Sequence, residues 1–307
     1  MIFRISKDIR FTNFYKKLNI LSLILIIFSL FILIFKGLNL GVDFKGGTLI
    51  EIRTDNPTLN IAEIRQSFLK MNLGDVTVKK FGKENDYLVK IENTRSDDNN
   101  FIKSINDKLS SDLGSNVNFR RVENVGPKVS SELLKAGLLA ISLSLTAMLI
   151  YIWIRFEWQF SLAAIVALVH DVIITVGIFS FLSYEINLSI VAAVLTIVGY
   201  SMNDTVVIFD RIRENLRKYS KISISEISDI STNQTLSRTL ITSVTTLLAL
   251  FSIYIFGGEI LKGFSFAMIL GVLFGTYSSI YIANPILEYL NVSHRTIDKE
   301  EKNKNFN

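Results

Sequence analysis

The sequence predicts an α-helical polytopic membrane protein with six transmembrane helices and one small extracytoplasmic α+β domain. Three observations point there. Hydrophobic residues make up 49% of the 307 and charged residues only 20%, against about 25% charged in a typical soluble domain. The mean hydropathy is +0.38. The apolar residues come in unbroken blocks, not at period two or 3.6, and one long polar stretch separates the first block from the other five.

Each block is long enough to cross a bilayer. A hydrocarbon core about 30 Å thick needs about 20 helical residues at about 1.5 Å each. The spans are expected at Leu18 to Phe35, Leu133 to Ile154, Gln159 to Leu182, Ile186 to Phe209, Thr239 to Phe256 and Phe264 to Leu287. Arg4, Lys7, Arg10, Lys16 and Lys17 precede the first span, which would also suit a secretory signal. Its apolar run is longer than a typical signal core, and Lys36-Gly37-Leu38-Asn39 offers no small-x-small cleavage site, so the sequence favours a retained anchor.

Short loops set the orientation, because cationic side chains resist translocation. Arg211, Arg213, Arg217, Lys218 and Lys221 lie between spans four and five, whereas Ser183 to Glu185 holds no Lys or Arg. The basic connection is therefore expected in the cytoplasm, with both termini. The chain divides into a cytoplasmic N-terminus (1–17), a first span (18–35), an extracytoplasmic domain (36–132), a five-helix bundle (133–287) with a cytoplasmic loop at 210–238, and a cytoplasmic tail (288–307). Asp210-Arg211-Ile212-Arg213-Glu214-Asn215 is expected to continue span four as a charged helix along the inner surface. The net charge of +5 fits such anchoring. The apolar blocks argue against nucleic-acid binding, the other common use of a basic chain.

The extracytoplasmic stretch alternates between the two periods. Ile50 and Ile52 predict a first strand, Val76 and Val78 a second. Tyr87, Val89 and Ile91 mark a third after the polar turn Lys83 to Asn85, and Val117 and Phe119 a fourth. Ile61, Ile64, Phe68 and Met71 repeat at helical spacing, as do Ile102, Ile105, Leu109 and Leu113, with Pro57 and Asn60 suited to a helix entry. The βαββαβ order predicts a ferredoxin-like split sandwich. This domain holds no His, no Cys and no carboxylate cluster around a nucleophile, so binding or mechanical coupling suits it better than catalysis.

Several chemistries are excluded. The absence of Cys removes disulfides, thiolate metal sites and cysteine nucleophiles. Two histidines, His170 and His294, do not make a histidine-rich metal site. Gly41-Val42-Asp43-Phe44-Lys45-Gly46-Gly47-Thr48 is rich in glycine but lacks the order of a phosphate-binding loop. Paired glycines permit positive φ and suit a tight turn into the first strand. With no nucleotide site in view, any work done by the protein needs another energy source.

Charge inside a span is costly and usually functional. His170 and Asp171 lie near the middle of span three, and Asn203 and Asp204 in the cytoplasmic part of span four. Arg238 enters span five from the cytoplasmic side, so antiparallel neighbours can bring it to the depth of Asp204. Such a pair would open when the carboxylate takes a proton. Two plainer readings stand beside it: a static structural pair, or an arginine that snorkels to the headgroups. Asp171 has its own plain reading, a satisfied buried carboxylate. Gly199, Ser201, Gly271, Gly275, Ser278 and Ser279 are small residues that allow close helix contact, and Gly271-x-x-x-Gly275 reads as a packing motif.

Taken together, GVDFKGG at 41–47, VGPKVSSELLKAG at 125–137, RFEW at 155–158, VALVHD at 166–171, VGYSMNDTVVIFDRIREN at 198–215 and NQTLSRTLITS at 233–243 resemble the SecD/SecF family of the bacterial Sec translocon. That family is related to the resistance-nodulation-division (RND) exporters. The resemblance covers nearly the whole chain and points to the smaller, SecF-type subunits. It implies an RND-like half of six spans in the inner membrane, its large loop periplasmic, paired with SecD into a pseudo-twofold unit. It further implies help to SecYEG in moving a preprotein, YajC as an additional candidate partner, no enzymatic activity, and the proton motive force in place of a cofactor. Asp204 of the NDT motif and Arg238 of the LSRT motif match the family's proton pathway, with Asn203 beside the former and Asp171 of the HD motif a second candidate. A partner carboxylate is expected from SecD. The alternatives are an RND-type proton-coupled exporter of a small molecule or lipid, for which the head domain is small, and an assembly scaffold without ion flux.

Overall fold

The computed structural model describes residues 8–56, 59–82, 84–92, 99–294 and 296. Arg4, Lys7, Pro57 and Lys83, named above, lie outside these. The elements follow the order α1 (Thr12–Phe35), α2 (Val42–Lys45), β1 (Gly47–Thr54), α3 (Ile61–Leu69), β2 (Val76–Lys80), β3 (Asp86–Ile91), α4 (Asn99–Leu113), β4 (Val117–Val125), α5 (Pro127–Arg155), α6 (Trp158–Phe181), α7 (Leu188–Lys218), α8 (Ile224–Phe256), α9 (Glu259–Ser278), a π-helical turn (Ser279–Ala283) and α10 (Asn284–Tyr289). They form two compact units: Asn39–Leu139 with Glu185–Leu188, and the remainder.

The first unit is the α+β domain. Its four strands pair antiparallel in the order β2-β3-β1-β4, which is the ferredoxin-like arrangement expected from the βαββαβ order. Alternation puts Ile50, Ile52, Val78, Tyr87, Val89, Ile91 and Val117 on one face, and Ile64 and Phe68 of α3 and Ile105 and Leu109 of α4 cover it. The other face is polar: Arg53 makes two bonds to Asp86 at 2.6 and 2.7 Å, and Arg120 stands 3.5 Å from Asp86 and 3.6 Å from Glu51. β4 runs well past Phe119, because the long β1 supplies partners for Arg121 to Val125 beyond a register shift.

Two local devices set the ends of these elements. Asn60 caps α3: its side chain accepts the Ala62 N–H at 3.3 Å while Glu63 accepts the Asn60 N–H at 3.2 Å. Downstream of α2, Gly46 and Gly47 take φ of 79° and 120°. A Cβ on Gly47 would stand 2.5 Å from the Ile91 carbonyl oxygen, so this turn admits only glycine.

The second unit is a helix bundle. Among the described residues six helices are long and apolar enough to cross a membrane: α1, α5, α6, α7, α8 and the run Glu259–Tyr289. About half of the apolar window of α6, α7 and α9 is buried and much less of α1, α5 and α8, so the first three form the centre of this unit. Gly271 and Gly275 let α9 approach α7 closely, since a Cβ on Gly275 would stand 2.9 Å from the Ser201 Cβ.

Within residues 210–238, expected as the cytoplasmic connection, the helix expected over Asp210–Asn215 is present and runs on to Lys218, and α8 already begins at Ile224, so only 219–223 are non-helical. The reason is an apolar stripe that does not stop at the last hydrophobic block: Ile208, Ile212 and Leu216 on α7 and Ile227 on α8 are buried with Phe156, Phe160, Phe209 and Leu287. The charged side chains of this extension pair along its flanks. Arg213 donates to the buried Glu157 at 3.1 Å and Arg155 to Asp210 at 3.0 Å.

Candidate functional site

A spanning helix satisfies its own backbone, so an ionisable side chain within it must find partners on neighbouring helices. Asp171, midway along α6, is wholly buried and finds three partners, two of them on neighbouring helices. The Ser201 hydroxyl of α7 donates to its Oδ2 at 2.7 Å, the Ser278 hydroxyl of α9 donates to the same oxygen at 2.8 Å, and His170 Nδ1 lies 2.9 Å from Oδ1. Glycine makes this possible, because Gly275 brings α9 against Ser201 one turn before Ser278. The His170 ring stacks on Tyr277 with centroids 6.0 Å apart, and among the described residues its Nε2 has no hydrogen-bond partner. The Tyr277 hydroxyl donates to the Leu18 carbonyl at 2.8 Å and lies 2.7 Å from the Ser22 hydroxyl, tying α1 to the same layer.

Asp204 lies on α7, three residues beyond Ser201. It is buried, yet among the described residues its one side-chain hydrogen bond is a long one, 3.5 Å from the Thr276 hydroxyl. Thr276 in turn lies 2.8 Å from the Ser243 hydroxyl on α8, and the neighbouring Thr205 lies 2.8 Å from Ser279. Arg238 acts on Asp204 electrostatically, and among the described residues no ion pair joins the two. Thr235 and Thr239 occupy the inward positions of α8, and Arg238, one residue from Thr239, is turned about 100° away and is exposed. Asn203 is likewise exposed, turned about 100° from its neighbour Asp204.

Of the residues singled out by sequence, Asp171 is therefore joined to its histidine neighbour, Asp204 and Arg238 stand near each other without touching, and Asn203 joins neither carboxylate. The hydroxyls that serve the carboxylates, Ser201, Ser278 and Thr276, do not announce themselves. Ser201 and Ser278 read as small packing residues, and the signal that distinguishes them is that their hydroxyls lie at the depth of a carboxylate.

The glycine motif is placed at the other unit. Phe44 is buried and the Gly41 N–H donates to the Ile186 carbonyl at 2.8 Å. Asp43 Oδ2 accepts the Leu188 N–H at 2.9 Å.

Two family models match the chain: the C-terminal region of the protein export membrane proteins SecD/SecF over residues 105–293, and the SecD/SecF GG motif over residues 31–58. The protein translocase subunit SecF of Rickettsia bellii is 45% identical over 283 residues, covering 91% of this chain and 92% of that one. The subunit of the same name from Vibrio alginolyticus is 46% identical over 291 residues, covering 93% and 90%. Among solved structures, SecDF of Thermus thermophilus, a translocon-associated membrane protein, superposes with a TM-score of 0.85 at 31% identity, covering 94% of this chain. A SecDF structure in a super-membrane-facing form gives 0.67 at 29% identity, covering 99%. This chain spans only 40% and 41% of those two longer chains. The chain belongs to the SecF family of protein translocase subunits.

Proposed function

We propose that this chain is one half of a proton-driven export device, working with a SecD-type subunit beside a SecYEG-type channel in the bacterial inner membrane. In this reading both termini and residues 210–238 are cytoplasmic and the α+β domain is periplasmic, as the basic residues between α7 and α8 suggest. YajC is a further candidate partner, and the remainder of the SecDF length that this chain lacks is supplied by the SecD-type subunit.

The observation that carries the proposal is the state of Asp204: a carboxylate among spanning helices, with one long hydrogen bond and a cation close by but unbonded. Such a group can give up its charge at little cost in broken hydrogen bonds. Proton uptake at Asp204 removes its attraction for Arg238, frees Thr276 to bond Ser243 alone, and changes the packing of α7 against α8 and α9. Proton release restores it. Alternation between the two arrangements moves the periplasmic domains and biases an emerging chain outward. The driving force is adequate, since one charge moved through 100 mV is worth about 2.3 kcal/mol. Asp171, held on three sides, serves as the fixed part of the same polar layer.

Preprotein export into membrane vesicles, with and without a proton motive force, tests this. Asp204→Asn and Arg238→Met are each expected to abolish the stimulation by the proton motive force while export driven without it persists. Unaltered stimulation in both variants overturns the relay. An RND-type exporter of a small molecule has no comparable support, because relatives that match more than 90% of the chain are translocase subunits.

A further inference from the structure

We propose that Thr239 is the hydroxyl through which Asp204 exchanges its proton with the end of the bundle where Asn215 of α7 meets Ser231 of α8. The inference deepens the reading of Asp204 above and rests on it. A threonine inside a membrane helix ordinarily spends its hydroxyl on the carbonyl one turn back. Three threonines of α8 do so: Thr235 donates to the Ser231 carbonyl at 3.0 Å, Thr242 to the Arg238 carbonyl at 3.1 Å and Thr245 to the Ile241 carbonyl at 2.8 Å. Thr239 does not. It is 2% exposed, and among the described residues its hydroxyl has no hydrogen-bond partner. A buried hydroxyl left open costs about 1–3 kcal/mol, and a valine would fill the same space without that cost. Stability alone therefore does not account for a threonine here.

Contacts at two levels of the bundle fix where this hydroxyl lies. At one, the Asn215 amide of α7 donates to the Ser231 hydroxyl of α8 at 2.8 Å; at the other, Asp204 reaches Ser243 through Thr276. The two helices run antiparallel between these levels, and 204–215 of one is nearly as long as 231–243 of the other. Thr239 precedes Ser243 by one turn, so it stands about 6 Å from the level of Asp204 in the direction of Asn215. Onward from Thr239 the buried face of α8 stays hydroxylated, with Thr235, Thr232, Ser231 and Ser228. Asn284 Oδ1, on the residue that meets Thr232, is a second buried polar atom with no partner among the described residues. The face ends where Gln234 Oε1 accepts from Asn215 at 2.8 Å and from Arg211 at 2.6 Å, which in the reading above is the cytoplasmic end. Apart from Asp204, the charged and titratable groups of the elements packed with α8 are led by Tyr15, Asp229, Arg238, Tyr277, Tyr281 and Glu288, and none of them bonds the Thr239 hydroxyl.

The step is a relay in which no bond to carbon changes. On release, the Asp204 carboxyl gives its proton to a water, and that water gives one to the Thr239 oxygen as the hydrogen already there passes to a second water. Asp204 is left a carboxylate, Thr239 is unchanged, and the second water carries the proton off along the hydroxyl face. Uptake is the reverse.

Infrared spectroscopy of the full chain with its SecD-type partner in proteoliposomes, after a pH jump, reads this without reference to export. The part of the protonated-carboxyl band that is missing in Asp204→Asn belongs to Asp204. Thr239→Val is expected to slow the rise of that part about tenfold, with its final amplitude unchanged and thermal stability equal or higher. Thr239→Ser, which keeps the hydroxyl, should rise at the wild-type rate, as should Thr242→Val. The proposal is overturned if Thr239→Val rises at the wild-type rate, if Thr239→Ser is as slow as Thr239→Val, or if Thr239→Val loses amplitude or stability, the mark of a structural hydroxyl. If Asp204→Asn lacks no part of the band, Asp204 does not titrate, and the reading of Asp204 falls together with the relay. Export that ignores the proton motive force in the wild type would instead sink the translocation mechanism and leave the infrared result standing.

Discussion

Asp171 and Asp204 are carboxylates of the same bundle, both buried, and they are held in opposite ways. Asp171 takes bonds of 2.7 to 2.9 Å from α7, from α9 and from its own neighbour on α6. Asp204 has one bond of 3.5 Å and an arginine that does not reach it. The difference shows that the cost of a charge in a membrane can be met either by saturating it, which fixes the helices around it, or by leaving it ready to give the charge up. Saturation makes a structural joint, and under-saturation makes a candidate switch.

The comparison can be broken most directly by removing each carboxylate. Asp171→Leu strands two serine donors and His170 in the core, and each buried donor left without its acceptor costs about 1–3 kcal/mol. Thermal unfolding in detergent should show it, with Asp204→Leu costing less than half as much. Equal losses would erase the distinction. A smaller effect is expected from Gly275→Ala, which forces α9 away from Ser201 and so lengthens the Ser278 bond to Asp171; overpacking of this kind costs about 1–3 kcal/mol. Ser201→Gly added to it should restore part of the stability, which a double-mutant cycle would measure. Smaller again is Ser201→Ala, which deletes one of the Asp171 bonds at about 1 kcal/mol. The least is expected from Thr276→Val in a Ser243→Ala background, where only the long bond to Asp204 is left to lose, at about 0.5 kcal/mol. A Thr276→Val loss exceeding that of Ser201→Ala would show that Asp204 is the better-anchored carboxylate and would reverse the comparison.

What the sequence revealed followed periodicity and cost. Unbroken apolar blocks gave the six spans, alternation at Ile50/Ile52 and Tyr87/Val89/Ile91 gave the strands, and the expense of burying charge drew attention to Asp171, Asp204 and Arg238. What it concealed was tertiary. The partners of Asp171 lie 30 and 107 residues away, and Asp43 meets Leu188 across 145 residues. Arg238 was legible as a charge in a span, but its outward direction depends on which face of α8 the neighbours bury. The helix over 210–215 was legible, but the helical character of 224–238 was hidden by its polar residues, which mask the buried Ile227 and Leu236.

The π-helical turn Ser279–Ala283 separates two sets of obligations on one helix. Before it, Ser278 answers to Asp171 on α6; after it, Asn284 donates to Thr232 on α8 at 3.2 Å. A wide turn holds one residue more than an α-turn and shifts the phase of all that follows by roughly 100°. Deleting a single residue from 279–283 would therefore act less like a shortening than like a twist of the helix's far end: the Asp171 contacts would persist while Asn284 and the buried Leu287 swung off the surfaces they serve.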